Sequence, residues 1–329
     1  DLRTRERCWA AVSLGLQKDR EAVKDLVELL DAKYEYTDDG VNVLAGILAG
    51  LGLIGDPSVV PDLAQAFVEG DLYGRDIRNQ DRVRAFVGFA LLKIGEPSYE
   101  ALNAIMKVHK SRSFGRIVKR SATISAGPLA AKASDAKKKE MVATPRKYLR
   151  KSGGDPSGEN FAIISLSQIG TPDAFNALID IAKSGKYGQR PFAGLGLATQ
   201  YWYQERAREA KRGEGMDEEL KNKIVKTLRE CSDKYKDSDT KAAFMLCRGL
   251  VKDKSAIDEL VRVVSKKSSA PVLRGFCCIS LGLIGDARED VKDSLKLALQ
   301  ERKSTDLRRD AATGLGLLRD AEVGKLLLK

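Results

Sequence analysis

The sequence predicts an all-α protein, a right-handed solenoid of about nine helical hairpins, because one short motif recurs along it. Leu-Gly-Leu is found at residues 14–16, 51–53, 281–283 and 315–317. Weaker copies are centred on Leu92, Ser167 and Gly249. Two longer gaps each predict one divergent copy, at Gly127 and at Gly196. A motif that recurs at regular intervals along a chain indicates repeated units that stack on one another.

Each unit carries the signals of two helices joined by a tight turn. Small and apolar residues at helical spacing precede the repeated position, as at Ile47, Leu48 and Leu51, and indicate a first helix that is buried on all sides. In the turn Gly55-Asp56-Pro57, glycine ends the first helix and proline suits the start of the next. The second helix has one apolar face. Because a single hairpin cannot bury both of its faces, the units must stack.

Two polar positions also recur in the repeat. Carboxylates lie four residues after the repeated position, at Asp19, Asp56, Glu96, Asp253, Asp286 and Asp320. Cations lie eight residues before it, at Arg7, Arg84, Lys241, Arg274 and Arg308. A carboxylate in the turn can accept backbone N–H bonds at the start of the second helix, and it can meet a cation of an adjacent unit. We therefore expect a structural ladder of helix caps and ion pairs rather than a row of catalytic carboxylates.

These features resemble the HEAT repeat family, in the short form found in phycobilisome-lyase-like proteins. The resemblance is close in Leu51–Pro57 and Leu281–Ala287, where an L-G-x-x-G-D turn is followed by proline or alanine. It is poor around residues 110–156 and 188–235. The resemblance implies an α-solenoid, and repeats of this kind indicate architecture better than function.

Some proteins with HEAT-like repeats are enzymes, and their known site residues can be compared with the residues of this chain. Deoxyhypusine hydroxylases hold iron with several His-Glu pairs, but this chain has one histidine, His109, followed by Lys110. Phycobilin lyases of this repeat type offer no compact motif to map. HEAT-like DNA glycosylases combine a basic surface with Trp and a catalytic Asp, whereas Trp9 and Trp202 are far apart along the array. We expect no catalytic residue, no cofactor and no metal.

The net charge of +11 comes from one segment, residues 107–151, which holds 14 Lys/Arg against 2 Asp/Glu. The pattern predicts a basic helical run over 113–126, a break at Gly127-Pro128 and then a second basic stretch. Its candidate partner-binding cations are Arg112, Arg116, Lys119, Arg120, Lys137, Lys138, Lys139, Arg146, Lys147, Arg150 and Lys151. Such a run could dock on an acidic protein, neutralise phosphates of a nucleic acid, meet a membrane surface, or be only a solvated face.

A second departure from the repeat lies near residues 198–222. Tyr201, Trp202 and Tyr203 form the densest aromatic cluster of the chain and are followed by a charged stretch. Aromatic residues and arginine are enriched in binding hot spots, so these three are candidate contact residues. The alternative is that they fill the wider gap that an insertion creates.

The repeat quality and the charge divide the chain into three parts. Residues 1–106 hold three N-terminal HEAT-like units, 107–156 form a basic divergent repeat or insertion, and 157–329 hold the C-terminal units. The predicted function is a non-catalytic scaffold for protein–protein interaction, with acidic proteins among the expected partners. Exposed second-helix residues run from acidic to basic, which suggests two partners or one partner with both charges. The alternatives are a nucleic-acid-associated solenoid that uses residues 107–151, and a lyase-like enzyme or its accessory subunit.

Other expectations concern the ends and the location of the chain. Longest apolar stretches, such as Val43–Ile54, are too short to span a bilayer, so no transmembrane segment is expected. The apolar end at Val323–Leu328 suggests a longer parent chain or end-to-end self-association. Five cysteines without metal-site spacing favour a reduced, cytoplasmic compartment, although a chain that starts at Asp1 leaves any signal unassessed.

Overall fold

The computed structural model describes residues 4–31, 36–111, 113–151 and 154–318. In this part of the chain, 17 α-helices account for nearly all regular structure. The first helices of the hairpins are α1 (Thr4–Gln17), α3 (Asp38–Ile54), α5 (Asp81–Ile94), α7 (Arg116–Ala131), α9 (Pro156–Ile169), α11 (Arg190–Glu209), α13 (Ser238–Leu250), α15 (Pro271–Ile284) and α17 (Thr305–Leu317). The second helices are α2 (Ala22–Asp31), α4 (Val60–Glu69), α6 (Tyr99–Lys110), α8 (Asp135–Lys151), α10 (Pro172–Ser184), α12 (Glu218–Lys234), α14 (Ile257–Ser265) and α16 (Glu289–Leu299). The prediction of an all-α repeat fold is confirmed.

The chain forms two compact units, Asp1–Ala174 and Phe175–Lys329. In the first unit, α1, α3, α5, α7 and α9 pack side by side in chain order, and α4, α6 and α8 form a parallel second row. A two-stranded hairpin, β1 (Asp71–Leu72) and β2 (Arg75–Asp76), follows α4. In the second unit, α11, α13, α15 and α17 pack in the same order. Within residues 107–156, helices α7 and α8 belong to the first unit.

Close packing of the first helices requires a small residue two positions before the repeated position. A Cβ atom on Gly50 would lie 2.4 Å from the Ala11 carbonyl oxygen, nearer than atoms can approach. Where serine occupies this position, its hydroxyl donates to the neighbouring helix instead, as from Ser125 to the Gly88 carbonyl at 3.0 Å. In the second unit, Ser280 donates to the Met245 carbonyl at the same distance. Glycine and serine therefore set how closely adjacent hairpins stack.

The turn carboxylates bond the backbone that leads into the second helices. Four of them accept a hydrogen bond from the backbone N–H two residues later, namely Asp19, Asp56, Asp253 and Asp286. Asp56 and Asp253 in this way cap the 3-10 turns that precede α4 and α14. Within the described residues Glu96 accepts no such bond, and Asp320 lies outside them.

The cation series makes different contacts from the ion pairs expected with those carboxylates. The Arg84 guanidinium donates to the Phe67 and Val68 carbonyls, at 3.1 and 2.6 Å, where α4 ends. Arg274 likewise donates to the Val264 carbonyl at 2.9 Å, near the end of α14. Because the last carbonyls of a helix have no partner within it, these cations bond the preceding unit's second helix. The series is thus a set of helix C-terminal caps at these two positions.

The remaining members of the cation series differ among themselves. Lys241 pairs with Glu259 at 3.0 Å, a residue of α14 rather than a turn carboxylate. Arg7 and Arg308 have exposed side chains. The predicted ladder between the two series is therefore wrong for Arg84, Lys241 and Arg274.

The predicted break at Gly127-Pro128 is also wrong. Helix α7 continues through Pro128 to Ala131, and α8 likewise contains Pro145. Pro128 lies in the last turn of α7, where the helix is about to end and the missing N–H removes only one bond. Tertiary packing then holds the turn, since Leu129 and Ala130 are fully buried. The basic segment is thus a complete hairpin of the repeat.

Candidate partner-binding surfaces

Helix α8 presents a row of cations on the side opposite its buried face. Met141, Val142 and Tyr148 lie at helical spacing and pack into the first unit. The exposed cations Lys139, Arg146, Lys147 and Arg150 occupy the other side. Positions 139, 146 and 150 are seven and four residues apart, so they align along one stripe about 16 Å long. We call Lys139, Arg146, Lys147 and Arg150 the α8 cation stripe.

Three other predicted partner-binding cations form hydrogen bonds or ion pairs within the protein. Arg120 forms a bidentate contact with Asp155, with Nη2–Oδ1 and Nε–Oδ2 distances of 2.5 and 3.1 Å. Lys137 bonds Asn103 at 3.2 Å and Glu140 at 2.9 Å. Lys138 pairs with Asp135 at 3.5 Å, one turn earlier in α8. The structure thus separates cations that stabilise the fold from those that face solvent.

Two further predicted cations lie in the first turns of α7. Arg116 is exposed and Lys119 is half-buried. Arg112 lies outside the described residues, as does the side chain of Lys151. Among the described residues no acidic side chain pairs with the stripe or with Arg116, so these cations are available to a partner's negative charge.

A buried aspartate joins the three helices around the stripe. Asp155, the N-cap of α9, is 1% exposed and accepts from Tyr148 Oη of α8 at 2.5 Å as well as from Arg120 of α7. The Asp155 Oδ1 atom also accepts a hydrogen bond from the Gly158 backbone N–H. The hydrogen bonds from Arg120 lower the pKa of Asp155 to about 2, although burial opposes this, and the bonds from Tyr148 and Gly158 lower it further. Sequence analysis missed this cluster because Asp155 falls outside the repeated turn position.

The single histidine is a buried structural side chain at the end of α6. His109 is 8% exposed, and its ring packs edge-on against Tyr148 with 5.3 Å between centroids. Burial lowers the pKa of His109 to about 4, and the positive charges of Lys119 and Lys147 add to that effect. The imidazole is therefore neutral at neutral pH.

The second helices of the first unit change charge in chain order. From their residues, α2 and α4 each have a net formal charge of −2, α6 has +1 and α8 has +5. The exposed acidic residues are Asp25, Glu28 and Asp31 on α2, and Asp62 and Glu69 on α4. The exposed cations are Lys107 and Lys110 on α6, and the α8 cation stripe. The net charge of the second helices in this unit thus changes from acidic to basic in chain order.

The aromatic residues Tyr201, Trp202 and Tyr203 lie on the long helix α11. This helix has 20 residues, whereas the other first helices have 13 to 17. Tyr201 and Trp202 are half-buried, and Tyr203 is 59% exposed. Trp202 packs edge-on against Tyr203 at 5.1 Å, and the Arg206 guanidinium lies 4.8 Å from the Trp202 ring centroid. The predicted insertion thus begins as an extension of a helix.

The extension of α11 is held by ion pairs and bounds a small cleft. Glu205 pairs with the buried Lys221 of α12 at 2.8 Å and with Arg208 at 2.9 Å. A cleft of about 230 Å³ lies between the α11 extension and the end of α13, lined by Tyr201, Trp202, Glu205, Arg206, Glu209, Leu250, Val251 and Lys252. Tyr201 and Trp202 thus line this cleft, whereas Tyr203 is exposed outside its lining.

The second unit has its own buried aspartate. Asp253, a turn carboxylate of the repeat, is bonded by Arg229 at 2.7 Å and by Arg248 at 2.8 Å. Arg248 also reaches Glu259 at 3.2 Å. Burial of Asp253 opposes ionisation, but hydrogen bonds from Arg229, Ser255 and Arg248 outweigh it and lower the pKa to about 2. This cluster crosslinks α12, α13 and α14.

The described residues contain no group of three or more His, Cys, Asp or Glu side chains placed to hold a metal ion. No helix among them combines the length and apolar character needed to cross a membrane.

Hairpins of this type, repeated with the same turn and the same helix packing, define an all-α helical-repeat protein. Residues 6–32 match the family model described as PBS lyase HEAT-like repeat, so the resemblance to short HEAT repeats is confirmed in the first hairpin. The chain is also similar to the solved structure of human deoxyhypusine hydroxylase in complex with glycerol, with 15% identity over 96% of this chain and 97% of that one. The TM-score is 0.32, which carries no conclusion about function. None of the curated proteins matches the chain.

Proposed function

We propose that the protein is a non-catalytic repeat scaffold that binds an acidic segment of a partner protein on the α6–α8 surface. The observation that carries this proposal is the α8 cation stripe, whose side chains are exposed while Arg120, Lys137 and Lys138 are paired internally. A helix that keeps four cations unneutralised on one side attracts negative charge and speeds association with it. The second-helix position supports this role, since repeat arrays bind through extended helical surfaces.

The test is binding of a fluorescent glutamate-rich peptide at low salt to the full chain. Replacing Lys139, Arg146 and Arg150 with Gln should weaken binding about tenfold, since each exposed charge pair contributes about 0.5 kcal/mol. The matched control replaces three exposed cations of the second unit, Lys226, Arg262 and Lys267, with Gln. Both variants lose three positive charges. Equal weakening in both would show a general charge effect and reject the α8 surface as the site.

Nucleic acid is the second candidate, because the same exposed stripe could contact phosphates. Binding to a duplex and to single strands would be measured across a salt series. A phosphate-binding protein loses affinity steeply as salt rises, and the stripe variant should flatten that slope. The exposed carboxylates of α4, which packs beside α6, favour the protein partner, since a long polyanion that extends from α8 across α6 to α4 would be repelled there. Duplex binding that is tighter than peptide binding at every salt concentration would reverse this preference.

A further inference from the structure

The second unit contains a cleft that the proposed function does not use. It lies between the extension of α11 and the end of α13 and has a volume of about 230 Å³. Pockets for drug-sized ligands have volumes of about 300–1,000 Å³, so this cleft has room for a group the size of one or two residues. All of its lining residues belong to the second unit, so binding there does not depend on the α8 cation stripe.

One part of the lining is apolar. On the α11 side the Tyr201 and Trp202 side chains are half-buried. On the α13 side Leu250 is half-buried and Val251 is buried. Apolar surface in a concave site favours an apolar group of a ligand, because the contact removes both surfaces from water. The cleft therefore favours an aliphatic or aromatic side chain.

One cation of the lining has no carboxylate partner. The Arg206 guanidinium lies 4.8 Å from the Trp202 ring centroid, and no acidic side chain among the described residues pairs with it. Stacking on an aromatic ring orients the planar guanidinium and leaves the N–H groups at its edge free to donate. A carboxylate fits such an edge because two parallel N–H···O bonds can form. Arg206 is therefore placed to bind a carboxylate.

The other charges of the lining are offset within the protein. Glu205 pairs with Lys221 at 2.8 Å and with Arg208 at 2.9 Å. Lys252 and Glu209 lie 3.9 Å apart and have opposite charges. The charge that an incoming anion would neutralise is therefore that of Arg206.

We propose that the cleft binds the C-terminal residue of a partner protein, with its carboxylate on Arg206 and its apolar side chain against Tyr201 and Leu250. A C-terminal residue carries a carboxylate and a side chain on the same carbon atom. One residue therefore satisfies both the cation and the apolar lining of a cleft this small. Capture of a terminal carboxylate is a recurring mode of peptide recognition.

The surface beside the cleft favours a protein over a free organic acid. Tyr203 is 59% exposed and packs edge-on against Trp202, outside the lining. Tyrosine is enriched among the residues that dominate protein interfaces. The residues that precede a bound C-terminus can contact Tyr203, whereas a free acid of one residue lies within the lining.

The experiment follows the emission of Trp202 in a Trp9→Phe background of the full chain. The probe is the peptide Gly-Ser-Gly-Ser-Gly-Leu with a free carboxylate, and its control is the same peptide with a C-terminal amide. Titration to millimolar peptide should change the Trp202 emission, and the free carboxylate should bind about tenfold more tightly than the amide. Equal affinity of the two peptides, or no emission change with either, would overturn the inference.

Variants of one arginine test its role. Arg206→Gln should abolish the preference for the free carboxylate, and Arg206→Lys should keep part of it, because the charge remains without the planar fork. The matched control is Arg212→Gln, which removes one positive charge from an exposed side chain outside the lining and should leave the preference unchanged. Equal weakening by Arg206→Gln and Arg212→Gln would show a general charge effect and reject the site. Far-UV circular dichroism confirms that the variants fold.

A free acid is tested with N-acetyl-leucine, which has the same carboxylate and side chain as the end of the peptide. We expect the peptide to bind about fivefold more tightly, and Tyr203→Ala to remove most of that difference. Equal binding of N-acetyl-leucine and the peptide would assign the cleft to a free organic acid and overturn the inference of a partner protein.

Discussion

Each unit of the molecule contains one buried aspartate that ties three helices together, and the two sites differ in how they are held. Asp253 in the second unit is bonded by two arginines, of which Arg248 is 6% exposed. Asp155 in the first unit is bonded by Arg120, which is 34% exposed, and by the neutral Tyr148 hydroxyl. The pKa of each carboxyl is lowered to about 2. The same ionised state is therefore reached with two cations in one unit and with one cation in the other.

The difference shows what the repeat imposes and what it leaves free. Asp253 occupies a turn position that recurs in most hairpins. Its carboxylate therefore accepts a backbone N–H bond, from Ser255, as well as the bonds from its arginine partners. Asp155 caps a first helix instead, and it accepts its other hydrogen bonds from Tyr148 and Arg120 of the basic hairpin. A buried carboxylate that depends on neighbouring hairpins for its partners couples those hairpins in stability.

The largest expected effect is from Asp253→Ala, measured against Asp155→Ala. Removing Asp253 leaves the buried Arg248 without its main partner, which should cost about 3 to 5 kcal/mol of unfolding free energy. Removing Asp155 should cost about 2 kcal/mol, because the partly exposed Arg120 can be hydrated. The measurement is urea unfolding followed by circular dichroism.

Tryptophan fluorescence can assign the Asp253 effect to its own unit. The chain has two tryptophans, and in a Trp9→Phe background Trp202 reports the second unit alone. Asp253→Ala should move the Trp202 transition to lower urea. A larger loss from Asp155→Ala than from Asp253→Ala would contradict the comparison.

The second prediction concerns the pH dependence of stability, in which His109 of the first unit titrates at higher pH than the two buried aspartates. His109 is buried in the first unit with its pKa lowered to about 4 from 6.5, so the unfolded chain binds the proton more readily between these values. Stability should therefore fall as pH drops from 6.5 to 4, by a total on the order of 2–3 kcal/mol. Because Asp155 and Asp253 have lowered pKa values, their contributions are kept above pH 4 and are lost only as pH falls toward 2.

The single histidine makes this test direct. One imidazole signal in the proton spectrum should titrate with a midpoint near pH 4 in the folded protein. His109→Gln should flatten the stability profile between pH 6.5 and 4 and leave the more acidic part unchanged. A midpoint near 6.5 would show that the ring is accessible to water.

The smallest expected effect is from Tyr148→Phe. The phenylalanine keeps the ring contact with His109 and removes only the hydrogen bond to Asp155, so unfolding free energy should fall by about 1 kcal/mol. Urea midpoints followed by circular dichroism measure it. A loss equal to that of Asp155→Ala would mean that the hydroxyl, rather than Arg120, holds the carboxylate.

Much of the fold follows from short-range patterns in the chain. The Leu-Gly-Leu spacing, the glycine at the end of a first helix and the carboxylate in the turn depend on helix geometry and backbone hydrogen bonds, which neighbouring residues control. Gly55 and Gly285, for example, adopt the left-handed conformation that glycine favours at helix ends. The hairpins at Gly127 and Gly196 were predicted differently, from two gaps that are each about twice the repeat length.

The candidate surface was only partly predictable. The sequence located the basic segment, but it could not show that Arg120 and Lys137 are paired while Lys139 and Arg150 face solvent. Lysines and arginines have the same local signal in either case, and their partners Asp155 and Asn103 are about 35 residues away. Pro128 misled the analysis because proline usually ends a helix, whereas burial of the following residues holds the last turn of α7.

By itself the sequence determined the helical repeat, the positions of its turns and the place where positive charge accumulates. These properties depend on residues within one hairpin. Tertiary structure alone decided which cations remain available and that Asp155 joins three helices. Those outcomes depend on side chains that are distant in the chain and meet only when the hairpins stack.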